Sequence, residues 1–294
     1  MLSNRSTPRR LRRSYSQLVG RIFLLFSRRL TRSASLTAGA GAWREKGEKE
    51  KAKSSPHAMQ RTPQFITGEF TPRHCFLPDD EYGRCLDTVV KACSDVLVTD
   101  ASGSKVFLGQ RKVEPQPDWW YIGGRSKPGE TPEAAAARNV RRELKLDLPL
   151  ERFEVVANYS FVWQFRQQPP AGNGTADIST VHRLALGDAE VAGAVFDEKE
   201  YAATKWWPAE DVLSGDFHPA LKQAIRDVRA ADAFKRLREL VVAGGADADV
   251  ATAARLLVET AGARDAAVDA LGGADGAPVA VSFANGRYTY RRAA

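Results

Sequence analysis

The stretch from Trp119 to Leu146 constrains the fold of this chain more than any other. An apolar run, Trp119–Ile122, ends on Gly123-Gly124, and a polar loop leads into a helix with a complete start signal. Thr131 is a good N-cap, Pro132 suits the first helical position, and Glu133 complements the helix dipole. An alanine-rich run then continues to Leu146, with Ala136, Val140 and Leu144 on one stripe. A strand that turns through paired glycines into a capped amphipathic helix belongs to an α/β architecture.

The segments around it agree. Cys93–Val98 and Lys105–Leu108 are short β-rich runs around Asp-Ala-Ser-Gly, which reads as a hairpin. Residues 154–165 and 178–186 read as two long strands joined by a loop holding Pro169-Pro170 and Gly172-Asn173-Gly174. Lys205-Trp206-Trp207 is a further strand stopped by Pro208, and His218–Ala243 is an amphipathic helix. Beyond about residue 245 the chain turns to Ala, Gly and Asp, with helical patterns at 248–262 and 264–271. It ends on a run alternating around Asn285-Gly286, a strong hairpin signal. The expectation is an α/β/α sandwich with a mixed sheet over residues 70–243, plus a small helical and hairpin extension over 244–294. That extension reads as packing material without chemistry.

Charge separates the first fifth from the rest. The formal net charge is +7, yet residues 1–53 hold 14 basic and 3 acidic side chains, leaving 29 basic and 33 acidic for 54–294. A body of that sign is a poor general polyanion binder, so no general nucleic-acid binding is expected. Nine arginines precede position 40, with recurrent serines and no acid before Glu45. That is the composition of a transit peptide, or else of a disordered basic arm that binds RNA or a membrane surface. Residues 1–60 are therefore expected to be a transit segment and solvated linker, addressed to the mitochondrion or, as alternatives, to the plastid. Initiation at Met59 would give a cytoplasmic form. No apolar stretch reaches the ~18 residues that span a bilayer, so no membrane span is expected. Three cysteines without a CxxC, Cys75, Cys85 and Cys93, read as reduced thiols.

From Gly124 through Glu130, Arg138, Val140, Glu143 and Leu146, the helix segment resembles the Nudix box, G-x5-E-x7-R-E-U-x-E-E-x-G-U, where U is a bulky aliphatic. Asn139, Arg142 and Lys145 stand where the family usually has Glu, Glu and Gly. The resemblance implies a Nudix-type α/β/α fold and a Mg²⁺-dependent hydrolase (Mn²⁺ also possible) of a nucleoside diphosphate linked to another group. Loss of those two glutamates makes the chain similar to the GDP-mannose mannosyl hydrolase subgroup over roughly 93–213, which implies a nucleotide-sugar. Leu108-Gly109-Gln110-Arg111, Trp119–Arg125 and Val162-Trp163-Gln164 carry that likeness. It implies a metal held by Gly124, Glu143 and Glu200, and substrate held by Asp95, Arg111 and Arg125. Arg125, Glu143 and Glu200 are then the catalytic residues, while Glu130 and Arg138 lock loop to helix. Tyr201 and Phe165 stand where the subgroup has histidines. Asn139→Ala and Arg142→Ala are expected to be mild, neither residue being asked to bind metal. Two other readings remain open: a catalytically inactive Nudix-fold binding or assembly subunit, and a conventional pyrophosphohydrolase. The resemblance implies a small-molecule nucleotide substrate, and a homodimer is compatible.

Overall fold

A computed structural model describes residues 62–196, 201–271 and 278–292. The basic segment 1–60, Met59 and Glu200 lie outside the described residues. After a first helix α1 (Asp79–Leu86) come β1 (Lys91–Asp100), β2 (Lys105–Arg111), β3 (Trp119–Trp120), β4 (Ile122–Arg125) and α2 (Pro132–Leu144). Then follow β5 (Glu154–Trp163), β6 (Thr175–Leu186), α3 (Asp188–Gly193), β7 (Tyr201–Pro208), α4 (Ala209–Ser214) and α5 (Pro219–Val242). The chain continues through α6 (Asp247–Ala270) into a separate hairpin, β8 (Val279–Ala284) and β9 (Arg287–Arg292).

β1 organises the main sheet. Along one edge it pairs in parallel with β6, from Lys91↔Asp177 to Asp100↔Leu186. Its other edge is shared: β4 takes Cys93 to Val96, and β2 takes Val98 and Thr99, both antiparallel. The sheet is thus mixed, as expected from the alternating strand and helix patterns. Residues 94–99 of β1 are all buried, because helices cover both faces of this strand. Leu97, with Val106, Leu108 and Val181, packs toward Leu221, Ile225 and Val228 of α5. Val96 and Val98, one step out of phase, pack with Ile122 and Leu184 toward Ala136, Val140 and Leu144 of α2. Two-residue alternation on one strand therefore feeds two cores, which makes the α/β/α sandwich.

Several local expectations are met closely. Thr131 caps α2, its hydroxyl accepting from the Ala134 amide at 3.2 Å, and His218 caps α5 in the same way with Nδ1. Asn285 and Gly286 both have positive φ, as a two-residue hairpin turn of the primed type requires. Two differences have plain causes. The patterns at 248–262 and 264–271 are one continuous α6, since Gly262 costs only about 1 kcal/mol in a helix interior and does not break it. The described fold also has α1, a helix introduced by Pro78 and three acids, ahead of the first strand.

α2 ends on Lys145, which holds φ 58° and ψ 22°. This left-handed C-cap is where glycine is favoured. Lys145 offsets part of the strain by donating from Nζ to the Arg142 carbonyl at 2.6 Å. Lys145→Gly is expected to stabilise the fold by about 0.5–1 kcal/mol in urea denaturation.

The C-terminal hairpin is tied to the domain through Tyr288. Its hydroxyl donates to Asp118 at 2.6 Å and accepts from Gln116 Nε2 at 2.6 Å. Its amide donates to Asp216 at 2.9 Å.

Candidate active site

Beside the first half of β1 lies a cleft of about 260 Å³. Its floor is built by β1 and β4, which approach so closely that glycine is needed at 123. A Cβ there would stand 2.4 Å from Asp95 Oδ1 and 2.7 Å from the Ser94 carbonyl. β2 brings Arg111 to the rim at its C-terminal end, and β4 brings Gly124 and Arg125. Trp120, Phe161 and Trp163 also line the cleft. The Phe161 and Trp163 rings stack at 5.0 Å, and Trp120 meets both edge-on.

The loop between β4 and α2 is held by one ion pair. Arg138 grips both oxygens of Glu130, at 2.6 and 2.8 Å, and donates to the Arg125 carbonyl at 2.9 Å. Glu130 in turn accepts from the Lys127 amide at 2.8 Å. The Arg138 guanidinium keeps the Glu130 carboxyl below its ordinary pKa. Two termini of the loop and its middle thus meet at a single guanidinium.

Arg125 projects from the strand end. Its side chain is exposed, with the guanidinium 4.9 Å above the ring of Tyr82 from α1. Asp95 is buried beneath the cleft, accepting from Ser179 Oγ at 2.7 Å. Burial raises its pKa to about 6, against the Ser179 hydrogen bond and the nearby Arg111 charge, which lower it. A carboxyl whose folded pKa lies above its unfolded value costs stability once it is charged. The native state therefore loses about 3 kcal/mol as pH rises from about 4 to above 6. Asp95→Asn is expected to gain most of that at pH 7.5 and little at pH 4, read as the difference between two urea-denaturation series.

Glu143 is fully buried on α2. One carboxylate oxygen accepts from Arg142 Nη2, and the other accepts from the Tyr201 hydroxyl. Arg142 Nη2 also donates to the Gly123 carbonyl at 3.3 Å. Asn139, also fully buried, donates to the Gly124 carbonyl at 3.2 Å and the Ser94 carbonyl at 3.4 Å, and accepts from Arg138 at 2.9 Å. Both side chains carry structural hydrogen bonds, a matter of stability separate from the mild effect on turnover expected of their substitution. Removing either amide or guanidinium would leave buried oxygens without these donors, at about 1–3 kcal/mol each.

Of the residues that sequence reading joined into a site, Asp95, Arg111, Gly124 and Arg125 line the one cleft, and Glu143 lies beneath it against Arg142 and Tyr201. Glu130 and Arg138 sit behind it in the loop lock. Glu200 is outside the described residues. The remaining donor set does not suit a divalent cation. Mg²⁺ takes hard oxygens, usually one or two carboxylates. Here Glu143 is already bonded to a guanidinium and a phenol, the Gly124 carbonyl accepts from an amide, and among the described residues no three His, Cys, Asp or Glu side chains gather. Sequence reading missed Lys91, Arg166 and Tyr82 at this cleft. The helix-start signal after Pro78 could have placed Tyr82; nothing local points to the other two.

Residues 91–228 match the family model described as NUDIX domain. Among solved structures, the chain is similar to the E. coli dihydroneopterin triphosphate pyrophosphohydrolase, at 24% identity over 47% of this chain and 96% of that one, TM-score 0.36. It is similar to a MutT NUDIX hydrolase from Burkholderia pseudomallei, at 17% identity over 48% of this chain and 98% of that one, TM-score 0.39. A C. elegans Ap4A hydrolase in a binary complex matches at 17% identity over 49% of this chain and 99% of that one, TM-score 0.37. The mixed sheet and the loop lock lie within residues 91–228, the segment that matches the NUDIX domain model.

Proposed function

We propose that this domain binds a nucleoside diphosphate joined to a second group, a nucleotide-sugar being the case its residues suit, and hydrolyses it. The observation that carries the reading is the pairing of two wall types in one cleft. Arg111, Arg125 and Arg142 line it together with Trp120, Phe161 and Trp163. Guanidinium forks match phosphate oxygens, and aromatic faces take a base or a sugar ring. Lys91 pairs with Asp177 at 3.0 Å, and Arg166 with Asp87 at 2.6 Å.

In this reading Arg125 and Arg111 hold the diphosphate as it departs and takes up charge. Asp95, with its pKa at about 6, is ionised at pH 7 and can accept a proton from water. The test is a screen of nucleotide-sugars and dinucleotides with the full chain, run in ¹⁸O water. Label on the sugar supports attack at carbon, label on phosphate supports attack at phosphorus, and no hydrolysis of any compound overturns the enzymatic part.

A second reading, a Nudix domain that binds its ligand without turning it over, is favoured by one observation. Glu143 is fully buried beneath Arg142 and Tyr201 and is not presented to the cleft as a base. The same screen read by calorimetry separates the two, since binding without turnover is the signature of the second. We also propose mitochondrial import, from the acid-free arginine-rich start of the chain. A fusion of residues 1–60 to a fluorescent reporter is expected to enter mitochondria, and a diffuse cytosolic reporter would remove that reading.

A further inference from the structure

The C-terminal hairpin lies beyond residues 91–228, the segment that matches the domain model, yet Tyr288 of β9 reaches two segments that frame the cleft. The first is the loop between β2 and β3. Its base is closed by the Arg111 amide, which donates to the Asp118 carbonyl at 2.9 Å. Glu114 and Pro115 of this loop line the cleft. The Tyr288 hydroxyl accepts from Gln116 Nε2 and donates to Asp118, each at 2.6 Å, so one phenol grips the loop at two points. Burial, with the Asp118 carboxylate beside it, holds that phenol above its ordinary pKa, and the hydroxyl keeps its proton at neutral pH.

The second segment is the turn ahead of α5. Asp216 accepts from the Tyr288 amide at 2.9 Å. Two residues later the His218 ring meets the Tyr288 ring edge-on, with centroids 5.5 Å apart. The same imidazole meets Trp120 edge-on at 5.0 Å and lies 6.1 Å from Trp163, and both indoles line the cleft. His218 cannot turn freely, because its Nδ1 caps α5 by accepting from the Ala220 amide at 3.1 Å. On the other side Tyr288 is braced by its cross-strand partner Phe283, with ring centroids 4.6 Å apart. The hairpin is thus joined to the aromatic lining of the cleft through one intervening ring.

We propose that Tyr288 is a positioning residue for the cleft. Its hydroxyl sets where Glu114 and Pro115 stand, and its ring, acting through His218, sets the lie of Trp120 and Trp163. The C-terminal extension then shapes the space that the base or sugar of a nucleotide must fit. The proposal rests on the reading that the cleft takes such a ligand. A loop closed only at its base keeps a mobile tip, and a binding surface on it is loose unless side chains behind it are held. Tyrosine suits that task, since it spans two segments while having only two side-chain torsions to fix.

The experiment compares the full wild-type chain with Tyr288→Phe and Tyr288→Ala. Both variants keep the backbone bond to Asp216. Phenylalanine keeps the ring against His218 and loses only the hydroxyl, whereas alanine loses both. Amide hydrogen exchange is followed in the unliganded chains, and GDP-mannose, UDP-glucose and ADP-ribose are titrated by calorimetry. Tyr288→Phe is expected to speed exchange over residues 112–118 while β6 and α2 stay unchanged. It is also expected to weaken whichever of the three the wild type binds by about three- to tenfold. Tyr288→Ala is expected to weaken it further. Support requires both changes together. Affinity unchanged in both variants overturns the proposal even if exchange rises, because the hairpin is then packing alone. Exchange that rises evenly across the domain overturns it too, since general loosening is not positioning. A wild type that binds none of the three removes the cleft reading and the proposal with it. A wild type that binds, beside variants that bind equally well, removes the proposal alone.

Discussion

Arg125→Ala is expected to lower turnover of the hydrolysed nucleotide about a hundredfold while leaving the fold almost untouched. The asymmetry follows from how Arg125 is attached. Its backbone carbonyl is part of the loop lock, accepting from Arg138, and alanine keeps that bond. Its side chain is exposed and contacts the Tyr82 ring at 4.9 Å, worth about 0.5–1 kcal/mol. What alanine removes is the guanidinium at the mouth of the cleft. Arg125→Lys is expected to recover only part of the loss, since an ammonium cannot bond two phosphate oxygens in one plane. Steady-state kinetics beside a thermal melt reads both effects. Turnover within about threefold of wild type would remove Arg125 from the diphosphate. A fall in melting temperature matching the loss of activity would make its role structural.

The second large effect is on stability. Gly123→Ala is expected to cost about 2–4 kcal/mol in urea denaturation, at the upper end of overpacking substitutions. The added Cβ would lie 2.7 Å from the Ser94 carbonyl and 2.8 Å from the Asp95 Cα, both backbone atoms of a strand buried on its two faces. Neither can give way without opening the Asp95↔Gly123 pair that sets the cleft floor. Since Asp95 would move with it, nucleotide affinity should fall as well. A neutral outcome would mean that β4 can slide off β1, and with it the whole box entry.

Much of the fold was legible because its signals are local. Thr131-Pro132-Glu133 announces α2 to the residue, and Asn285-Gly286 announces the C-terminal turn. The parallel union of β1 with β6 was not legible, because both strands are central and read as apolar runs with no mark of partner or direction. The site divides along the same line. Spacing across one strand end, loop and helix was enough to single out Gly124, Glu130, Arg138 and Glu143. Their present partners were not readable. Arg142 and Asn139 look like lost ligands when compared with a box motif. In the fold they are donors whose acceptors, the carbonyls of Ser94, Gly123 and Gly124, are backbone atoms with no side-chain identity to notice. Tyr201 reaches Glu143 from β7, 58 residues further on.

The β1–β6 ladder also sets a timetable for synthesis. β1 is the first strand of the described fold, and its parallel partner is complete only at Leu186. At ~5–20 residues per second, the ribosome holds the two apart for on the order of ten seconds. Throughout that interval Val96, Leu97 and Val98, all with no exposure in the finished protein, have no sheet edge to join on the β6 side. A nascent chain in that condition is a client for chaperones, and it is also still threadable. Whatever lies N-terminal to β1 leaves the ribosome before anything behind it can lock. Any factor that engages that end during synthesis would meet a chain not yet committed to its native shape.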